Sequence, residues 1–255
     1  MLPIALGDAT KVIGVLMLAD KEYVAVMQLH KYVDDDRLIS VINEFIGEIY
    51  QRPPVRSSVK RTLRIKRVYD IKVLEIKFPY VLLHVSCEHG TYVRKLIHDI
   101  GEVLGVGAHM RELRRVRTGP FREDDYLVNL HELSEAVYLY NELKNQSLLR
   151  KYIMPVEYAV SHLPKVVVSD GAVGALTYGA DLAIPGIVRL HEHIKKGDLV
   201  AILTLKGELV ALGRALMDSE EIVNNMKGVA FKTIRVIMPR DVYPRAWGQR
   251  YTRTS

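Results

Sequence analysis

The stretch that decides the fold is SCEHGTYVRKLIHDIGEVLGVGAHMRELRRVRTGPF, residues 86–121. It opens with a turn and continues with an amphipathic segment whose apolar spacing predicts a helix over 91–104. An arginine-dense segment follows and is predicted as a strand over 109–118. The Gly119-Pro120 pair ends the block, because both residue types interrupt regular structure. A helix and a positively charged strand are therefore expected to pack together here.

The composition sets the limits within which this block must fold. The 255 residues suit one large domain or two moderate ones, and 49% of them are hydrophobic, enough for sizeable cores. The 36 Lys and Arg residues exceed the 30 Asp and Glu residues, which gives a net charge of +6 and a pI near 9.2. This modest basic excess favours polyanion partners without proving them.

Cysteine count and hydropathy indicate the cellular context. Cys87 stands alone in the chain, so an intrachain disulfide framework is excluded. No apolar run approaches the roughly 20 residues of a membrane-spanning helix, and the N-terminus lacks the pattern of a signal peptide. The sequence therefore predicts a cytoplasmic protein that is not in a membrane.

On the N-terminal side of the block the sequence alternates helix and strand signals. Asp8 is placed to cap a helix beginning near Ala9, and residues 21–30 alternate as a strand. The acidic run 34–36 precedes one apolar helical face, as expected at the positive end of a helix. That face consists of Leu38, Val41, Ile42, Phe45 and Ile46. Residues 61–76 and 79–87 predict two strands joined by a tight connection at Pro79.

On the C-terminal side, helical connectors are predicted at 128–143 and near 147–161, and a boundary is expected at Leu163-Pro164. Short strands separated by glycines follow that boundary. The order is α+β rather than a regular βαβ repeat. The predicted organisation is an α+β domain over 1–125, a helical connector over 126–162, a β-rich domain over 163–240 and a basic tail over 241–255.

The spacing of the cysteine and histidine residues near the central block argues against a zinc site. Cys87 and His89, with three further histidines nearby, fit no standard ligand pattern, and no second cysteine is present. Those histidines are His84, His98 and His109. Cys87 itself is better explained as a small buried hydrophobe than as a nucleophile. We therefore expect neither a metal nor a cofactor.

Five ordered motifs resemble the TruB-type pseudouridine synthases, and most closely the archaeal and eukaryotic dyskerin branch that works inside H/ACA guide-RNA particles. The motifs are LPIALGDATK (2–11), KEYVAVMQLH (21–30), QRPPVRSSVKR (51–61), GTYVRKL (90–96) and GAHMRELRRVRTGPF (107–121). From residue 163 onward the chain resembles the PUA domain of the same branch. The resemblance implies a catalytic domain with a mixed or antiparallel sheet and helices, followed by a β-rich PUA domain.

The resemblance also implies catalytic roles. Tyr23 would stack on the target base, Arg94 would hold a catalytic carboxylate by a bidentate pair, and Leu113 would form an apolar wall for the flipped base. From local sequence alone, Tyr23 would be a half-buried sheet residue and Leu113 a core residue. Arg94 would be either a solvated helix residue or a functional one. The family's nucleophilic aspartate belongs to a GTLDP-like loop before LPxAL. The sequence lacks that loop, so a truncated catalytic domain is expected.

RNA-binding residues are expected in both predicted domains. Those of the first are Arg52, Arg56, Lys60, Arg111, Arg114, Arg115 and Arg117, with Arg61 in the same basic segment. Those of the second are Gly179, Ala180, Pro185 and Gly186, where the resemblance places an ACA trinucleotide, together with Arg240. Arg245 in the basic tail is expected to bind RNA as well. A solvated basic surface is an equally weighted explanation for the arginines of 111–117, and it would also discourage strand aggregation.

The sequence leaves three functions open. The first is the subunit of an H/ACA particle that isomerises uridine in rRNA or tRNA, with guide RNA, substrate RNA and small accessory proteins as partners. The second is a standalone tRNA pseudouridine synthase acting at the T-loop uridine. The third is a noncatalytic RNA-binding scaffold built on the PUA domain.

Overall fold

The computed structural model describes residues 1–53 and 60–244 and separates the chain into two compact units. The first unit comprises Met1–Ile4 and Leu16–Ile153, and the second comprises Ala5–Val15 and the chain from Met154 onward. Each unit has its own buried apolar cluster. Helices and antiparallel strands occur in both, which confirms the predicted α+β class.

An antiparallel sheet of six strands forms the frame of the first unit. The strands are β1 (Lys21–Leu29), β2 (Gly47–Gln51), β3 (Arg64–Lys77), β4 (Tyr80–Cys87), β5 (Ala108–Thr118) and β6 (Phe121–Arg122). Their order across the sheet is β2-β3-β4-β1-β5-β6. β1 is therefore a central strand, paired on one side with β4 and on the other with β5.

Helices along the first 160 residues are mostly short. They are α1 (Ile13–Leu18), α2 (Asp35–Glu44), α3 (Val93–Leu104), α4 (Glu123–Tyr126), α5 (Leu130–Leu143), α6 (Ser147–Tyr152) and α7 (Val156–Ala159). α2 follows the sequence prediction closely, because the Asp34 carboxylate accepts a hydrogen bond from the Asp36 amide at 3.0 Å and Leu38 and Ile42 are fully buried. Ile46 lies beyond the end of this helix and is exposed.

The helix predicted within residues 86–121 is α3. Its buried face includes Leu96, Ile97 and Ile100, which join the same apolar cluster as the inward residues of β1 and β4. Gly105 ends the helix in the left-handed region at φ 74°. Gly101 lies directly against the following strand, where a Cβ atom would come within 2.2 Å of the Ala108 amide nitrogen. The last turn of α3 thus contacts the backbone of β5 without an intervening side chain.

Two features near the N-terminus and β2 differ from the sequence prediction. Asp8 does not cap a helix: a 3-10 helix spans Gly7–Val12, Leu6 occupies the N-cap position, and the Asp8 carboxylate instead pairs with Lys11 Nζ at 3.0 Å. β2 was not predicted, because its five residues are too few to establish alternation and its Tyr50 side chain is 67% exposed.

The second unit contains a mixed sheet in the order β8-β12-β11-β10-β7-β9. Its strands are β7 (Lys165–Val168), β8 (Leu182–Ala183), β9 (Ile187–Leu190), β10 (Leu199–Leu203), β11 (Leu209–Ala215) and β12 (Val229–Val236). Only β7 and β10 pair in parallel within this sheet of the described chain. Two helices accompany it, α8 (Asp170–Thr177) and α9 (Ser219–Asn224). The sequence predicted β7, β10, β11 and β12 but not the short strands β8 and β9. It also did not predict α8, because the small residues and internal glycines of this helix resemble a turn.

Candidate active site

The predicted catalytic residues of the two central strands share one face of the sheet. Tyr23 on β1 is paired with Arg115 on β5, and Ala25 is paired with Leu113. Alternate residues of a strand point to the same side, so these four side chains lie on one face. Ala25 belongs to the core cluster, and Tyr23 packs against it. The register of β1 and β5 therefore brings Tyr23, Leu113 and Arg115 together.

Tyr23 lies at the edge of the core rather than within it. Burial raises the pKa of its phenol above the usual value, and the nearby positive charge of Arg115 partly opposes that change. The phenol is therefore neutral near pH 7. Leu113 is 43% exposed although its partner Ala25 is buried, so an apolar side chain is presented to solvent beside the tyrosine. This differs from the core position that local sequence favours for Leu113.

Arg94 is the second residue of α3 and is exposed. β4 ends at Cys87, which pairs with Lys21 at the start of β1, and α3 begins shortly afterwards. The chain next re-enters the sheet at Ala108, which pairs with Leu29 at the far end of β1. The first turn of the helix, with Arg94, therefore lies towards the end of β1 that carries Tyr23.

Arg94 makes no hydrogen bond or ion pair with any residue in 1–53, 60–124 or 127–244. Two carboxylates of the first unit, Asp20 and Asp99, have other partners. Asp20 accepts a hydrogen bond from the Tyr69 hydroxyl at 3.0 Å, and Asp99 is engaged by Lys95 on the same helix. Arg94 is thus an uncompensated, solvent-facing guanidinium, as expected if the carboxylate that it orients is not among the described residues.

The arginines of β5 occupy different environments. Arg111 is exposed and has no polar partner in the described ranges, whereas Arg114 pairs with Glu123 at 2.8 Å. Arg115 donates from Nε and Nη2 to the Met1 carbonyl at 3.2 and 3.1 Å. Arg117 donates to Glu22 at 2.6 Å. Of these four, Arg111 is the one whose whole guanidinium is available to a phosphate without breaking a contact.

Glu22 was not identified from the sequence. It precedes Tyr23 and so faces the opposite side of the sheet, with a side chain that is 14% exposed. Its carboxylate is surrounded by Arg117 at 2.6 Å, Arg122 at 3.5 Å and His84 at 3.5 Å. Alternation along β1 could have predicted which face of the sheet carries Glu22, but it could not have predicted the basic residues that surround its carboxylate. The cluster ties β4, β1, β5 and β6 together on the far side of the sheet from Arg94.

The basic segment after β2 is described at both of its ends, at residues 52–53 and 60–61. Arg52 and Lys60 are exposed, and Arg61 Nε donates to the Pro53 carbonyl at 3.3 Å. That hydrogen bond joins the two ends of the segment. Arg56, also predicted to bind RNA, lies outside the described residues.

Cys87 and its histidine neighbours form no metal site in the described ranges, where no group of three or more His, Cys, Asp or Glu side chains could hold an ion. The Cys87 side chain is buried. No helix among the described residues is long and apolar enough to cross a membrane.

We expect Cys87 to resist alkylation in the folded protein. Burial raises the pKa of its thiol to about 11, and the thiolate is the reactive form. Iodoacetamide at pH 8 should label the native protein roughly 100-fold more slowly than a model thiol, from the thiolate fraction alone. The same protein in denaturant, analysed by intact mass, serves as the control. Equal labelling rates with and without denaturant would contradict this burial.

The predicted surface of the second unit surrounds the end of α8. Gly179 adopts φ 89° in open space, and the Ala180 carbonyl accepts a hydrogen bond from Thr233 Oγ1 at 2.7 Å. Pro185 is exposed. Gly186 packs closely, because a Cβ there would lie 3.0 Å from Ala172 Cβ. These residues thus form a backbone-rich surface fixed to β12 and α8, as the glycines predict.

Arg240 lies beside this surface. Its guanidinium carbon is 4.9 Å from the centre of the Tyr178 ring, and the Tyr178 hydroxyl donates to the Asp241 carboxylate at 2.9 Å. Tyr178 was not identified from the sequence, because no sequence pattern links it to Arg240 and Asp241, which lie more than sixty positions later. An exposed aromatic ring and a cation together suit stacking and phosphate contact. Arg245 lies outside the described residues.

Three family models match successive parts of the chain. The N-terminal domain of the TruB family of pseudouridylate synthases matches residues 1–93. The C-terminal domain of tRNA pseudouridylate synthase B matches residues 94–161, and the PUA domain matches residues 164–237.

Two similar proteins share the description "Probable tRNA pseudouridine synthase B". The one from Saccharolobus solfataricus is 56% identical over 247 residues, which cover 97% of this chain and 98% of that protein. The one from Pyrococcus furiosus is 56% identical over 250 residues, which cover 98% of this chain and 74% of that protein.

Solved structures show the same similarity. A chain in the crystal structure of a Cbf5-Nop10-Gar1 complex matches with a TM-score of 0.93 and 56% identity, over 96% of this chain and 74% of its own length. A chain in an H/ACA RNP bound to a substrate RNA containing 2'-deoxyuridine matches with a TM-score of 0.89 and 53% identity, over 95% of this chain and 74% of its own length.

Proposed function

The chain belongs to the TruB family of pseudouridylate synthases, and from this premise we propose that it acts on uridine in RNA as the pseudouridine synthase subunit of an H/ACA guide-RNA particle. The observation that carries the proposal is the match, at a TM-score of 0.89 over 95% of this chain, to a protein solved within such a particle bound to substrate RNA. A match to a Cbf5-Nop10-Gar1 complex supports small accessory proteins as partners. A cytoplasmic location stays a prediction.

The reaction sets requirements that the first unit meets in part. Forming pseudouridine breaks the C1'-N1 bond, rotates the detached uracil and joins C5 to C1'. The base must leave its stack and be held in a dry, shaped pocket. The ring of Tyr23 offers a stacking surface in its neutral state, and the exposed Leu113 beside it offers an apolar wall. Arg115 contributes positive charge on the same face of the sheet.

A carboxylate is also required near the sugar, as a nucleophile or as the base for a glycal route. The resemblance assigns that group to an aspartate in a GTLDP-like loop, and Arg94 to its orientation. We propose that residues 1–255 do not themselves supply this aspartate. The absence of any partner for Arg94 in the described ranges supports the proposal. A polypeptide of these residues would then bind RNA without completing the chemistry.

The guide RNA would contact both units. Arg52, Lys60 and Arg111 are exposed cations of the first unit, and phosphate contacts of this kind position RNA without reading its sequence. Single-stranded bases are instead read by backbone groups and aromatic rings. The surface formed by residues 179–186 with Tyr178 and Arg240 offers both, and we assign the ACA trinucleotide of the guide to it.

A standalone tRNA enzyme is the second candidate, because the relatives are described as tRNA pseudouridine synthases. Binding of the full chain to a guide RNA, to the same guide with its ACA replaced, and to a tRNA T-arm separates the two. We expect replacement of the ACA to weaken guide binding by roughly tenfold or more, and the T-arm to bind no better than the altered guide. Equal affinity for the T-arm and both guides would favour the tRNA enzyme. No binding above a nonspecific polyanion would contradict both.

A further inference from the structure

Gln51, the last residue of β2, is a buried polar residue with an unusual partner. Its side chain is 2% exposed, and its amide pairs reciprocally with the backbone of Tyr92. Nε2 donates to the Tyr92 carbonyl at 3.2 Å, and the Tyr92 amide donates to Oε1 at 2.9 Å. The side-chain amide thus offers Tyr92 the same donor and acceptor that a neighbouring strand would offer. Both polar atoms of Gln51 are satisfied by one residue.

Tyr92 is the N-cap of α3, the residue from which the helix starts. Its own side chain makes no capping hydrogen bond, and its carbonyl also accepts the first helical bond, from the Leu96 amide at 3.0 Å. The backbone groups at a helix start need partners from outside the helix. Gln51 supplies them from another strand, so the position of the first turn of α3 depends on β2.

The turn before Tyr92 is held independently by β3. The Glu88 carboxylate accepts hydrogen bonds from Lys66 Nζ at 2.9 Å and from the Arg67 amide at 3.1 Å. The Glu88 amide in turn donates to the Arg67 carbonyl at 2.9 Å. Glu88 therefore fixes where the turn begins, and Gln51 fixes where the helix begins. The two contacts together leave the chain between them little freedom.

Arg94 follows Tyr92 by two residues and has no polar partner of its own in the described ranges. Its Cα position and direction are consequently set by the backbone of the first helical turn. Gln51 also precedes Arg52, which opens the basic segment predicted to contact RNA. One short stretch of chain therefore holds Arg52 and the base of Arg94 in a fixed relation.

We propose that Gln51 is a positioning residue that aims the Arg94 guanidinium at the RNA through its hydrogen bonds to Tyr92. The inference rests on the proposed function, in which Tyr23 holds the target base. Arg94 lies at the same end of β1 as Tyr23, and its guanidinium, without a carboxylate partner among the described residues, is left to contact the RNA. Gln51 itself touches no substrate. Its removal should disturb substrate RNA binding only as far as Arg94 contributes to it, and this distinguishes the role from a general contribution to stability.

The test uses the full chain loaded with a guide RNA, and measures the affinity of that complex for the substrate strand. Gln51→Met removes both hydrogen bonds at similar volume, and Gln51→Glu keeps the acceptor while losing the donor, in case the first variant folds poorly. Arg94→Ala removes the guanidinium. Ile100→Val is the matched control, since it trims a fully buried residue of the same helix away from its first turn.

We expect Arg94→Ala to bind the substrate strand about tenfold more weakly, the value of one lost charge-assisted hydrogen bond. Gln51→Met alone should weaken binding of the substrate strand about fivefold. In the double variant it should add no loss to that of Arg94→Ala, because the effects of groups that act through one contact are not additive. In the free protein, Gln51→Met should speed hydrogen exchange at the Leu96 amide relative to Leu104. The control should change neither measurement beyond its loss of stability.

Additive losses in the double variant would overturn the inference, as would wild-type affinity in Gln51→Met. Wild-type affinity in Arg94→Ala would remove its basis and overturn it too. A wild-type complex unable to bind the guide or the substrate strand would instead contradict the proposed function. Failure of the inference is therefore seen in the variants, and failure of the proposed function is seen in the wild-type complex.

Discussion

A polypeptide of residues 1–255, mixed with guide RNA and substrate RNA, is expected to produce no pseudouridine above a no-protein control. The reason is chemical. A positioned carboxylate must either attack the anomeric carbon or remove a proton from the neighbouring sugar carbon. Loss of that carboxylate removes nearly the whole rate of the chemical step. Within the described ranges Arg94 has no carboxylate partner, and Glu22 is held by Arg117 on the other face of the sheet.

The measurement is conversion of a radiolabelled uridine, digested to nucleotides and separated after a long incubation. RNA binding by the same preparation is the control that the protein is folded. Pseudouridine formation that is lost in Asp20→Asn, Glu22→Gln or Asp99→Asn would show that the catalytic carboxylate lies in this chain.

The second large effect concerns the second unit. Deletion of residues 163–255 is expected to lower guide-RNA affinity by roughly tenfold or more and to flatten its salt dependence, because each lost phosphate contact lowers the slope of log K against log salt by nearly one. Ala5–Val15 belong to the same compact unit as the deleted residues, so the shortened protein must be checked for folding by circular dichroism.

Arg240→Ala in the full chain is the finer variant. It removes the cation that lies 4.9 Å from the Tyr178 ring and leaves the sheet of the second unit intact. Lys206→Ala, which removes a cation near the Tyr243 ring instead, is a matched control. Unchanged affinity and salt slope after the deletion would show that the second unit does not read the guide.

Periodicity predicted the elements whose buried faces are long enough to establish a pattern. α2 and α3 follow from apolar residues three and four apart. β4 was predicted from its richness in Val, Leu and Tyr, and the structure shows it with alternating burial. β2 and α8 were missed for opposite reasons. β2 is too short to show the alternation of a strand, and α8 is composed of small residues that also favour turns.

The candidate site could be predicted less fully than the fold. Strand alternation could place Tyr23 and Leu113 on a face, but their pairing depends on a register with bulges on both sides of the segment that joins them. The resemblance supplied Tyr23, Arg94 and Leu113, whose catalytic roles stay predictions. Gln51 and Glu22 could not be found from sequence, because their partners are 41 and 95 positions away and no local pattern encodes such contacts.

The close approach of Gly101 to Ala108 has a mechanical consequence. At that end α3 touches β5 through backbone atoms, since any side chain at Gly101 would collide with the strand. At its other end the helix is fixed by the hydrogen bonds between Gln51 and Tyr92 and by the burial of Val93 and Leu96. The distance between α3 and β5 is therefore set by backbone contact at Gly101, and Arg94 lies about 10 Å along the helix from that contact by the rise of an α-helix.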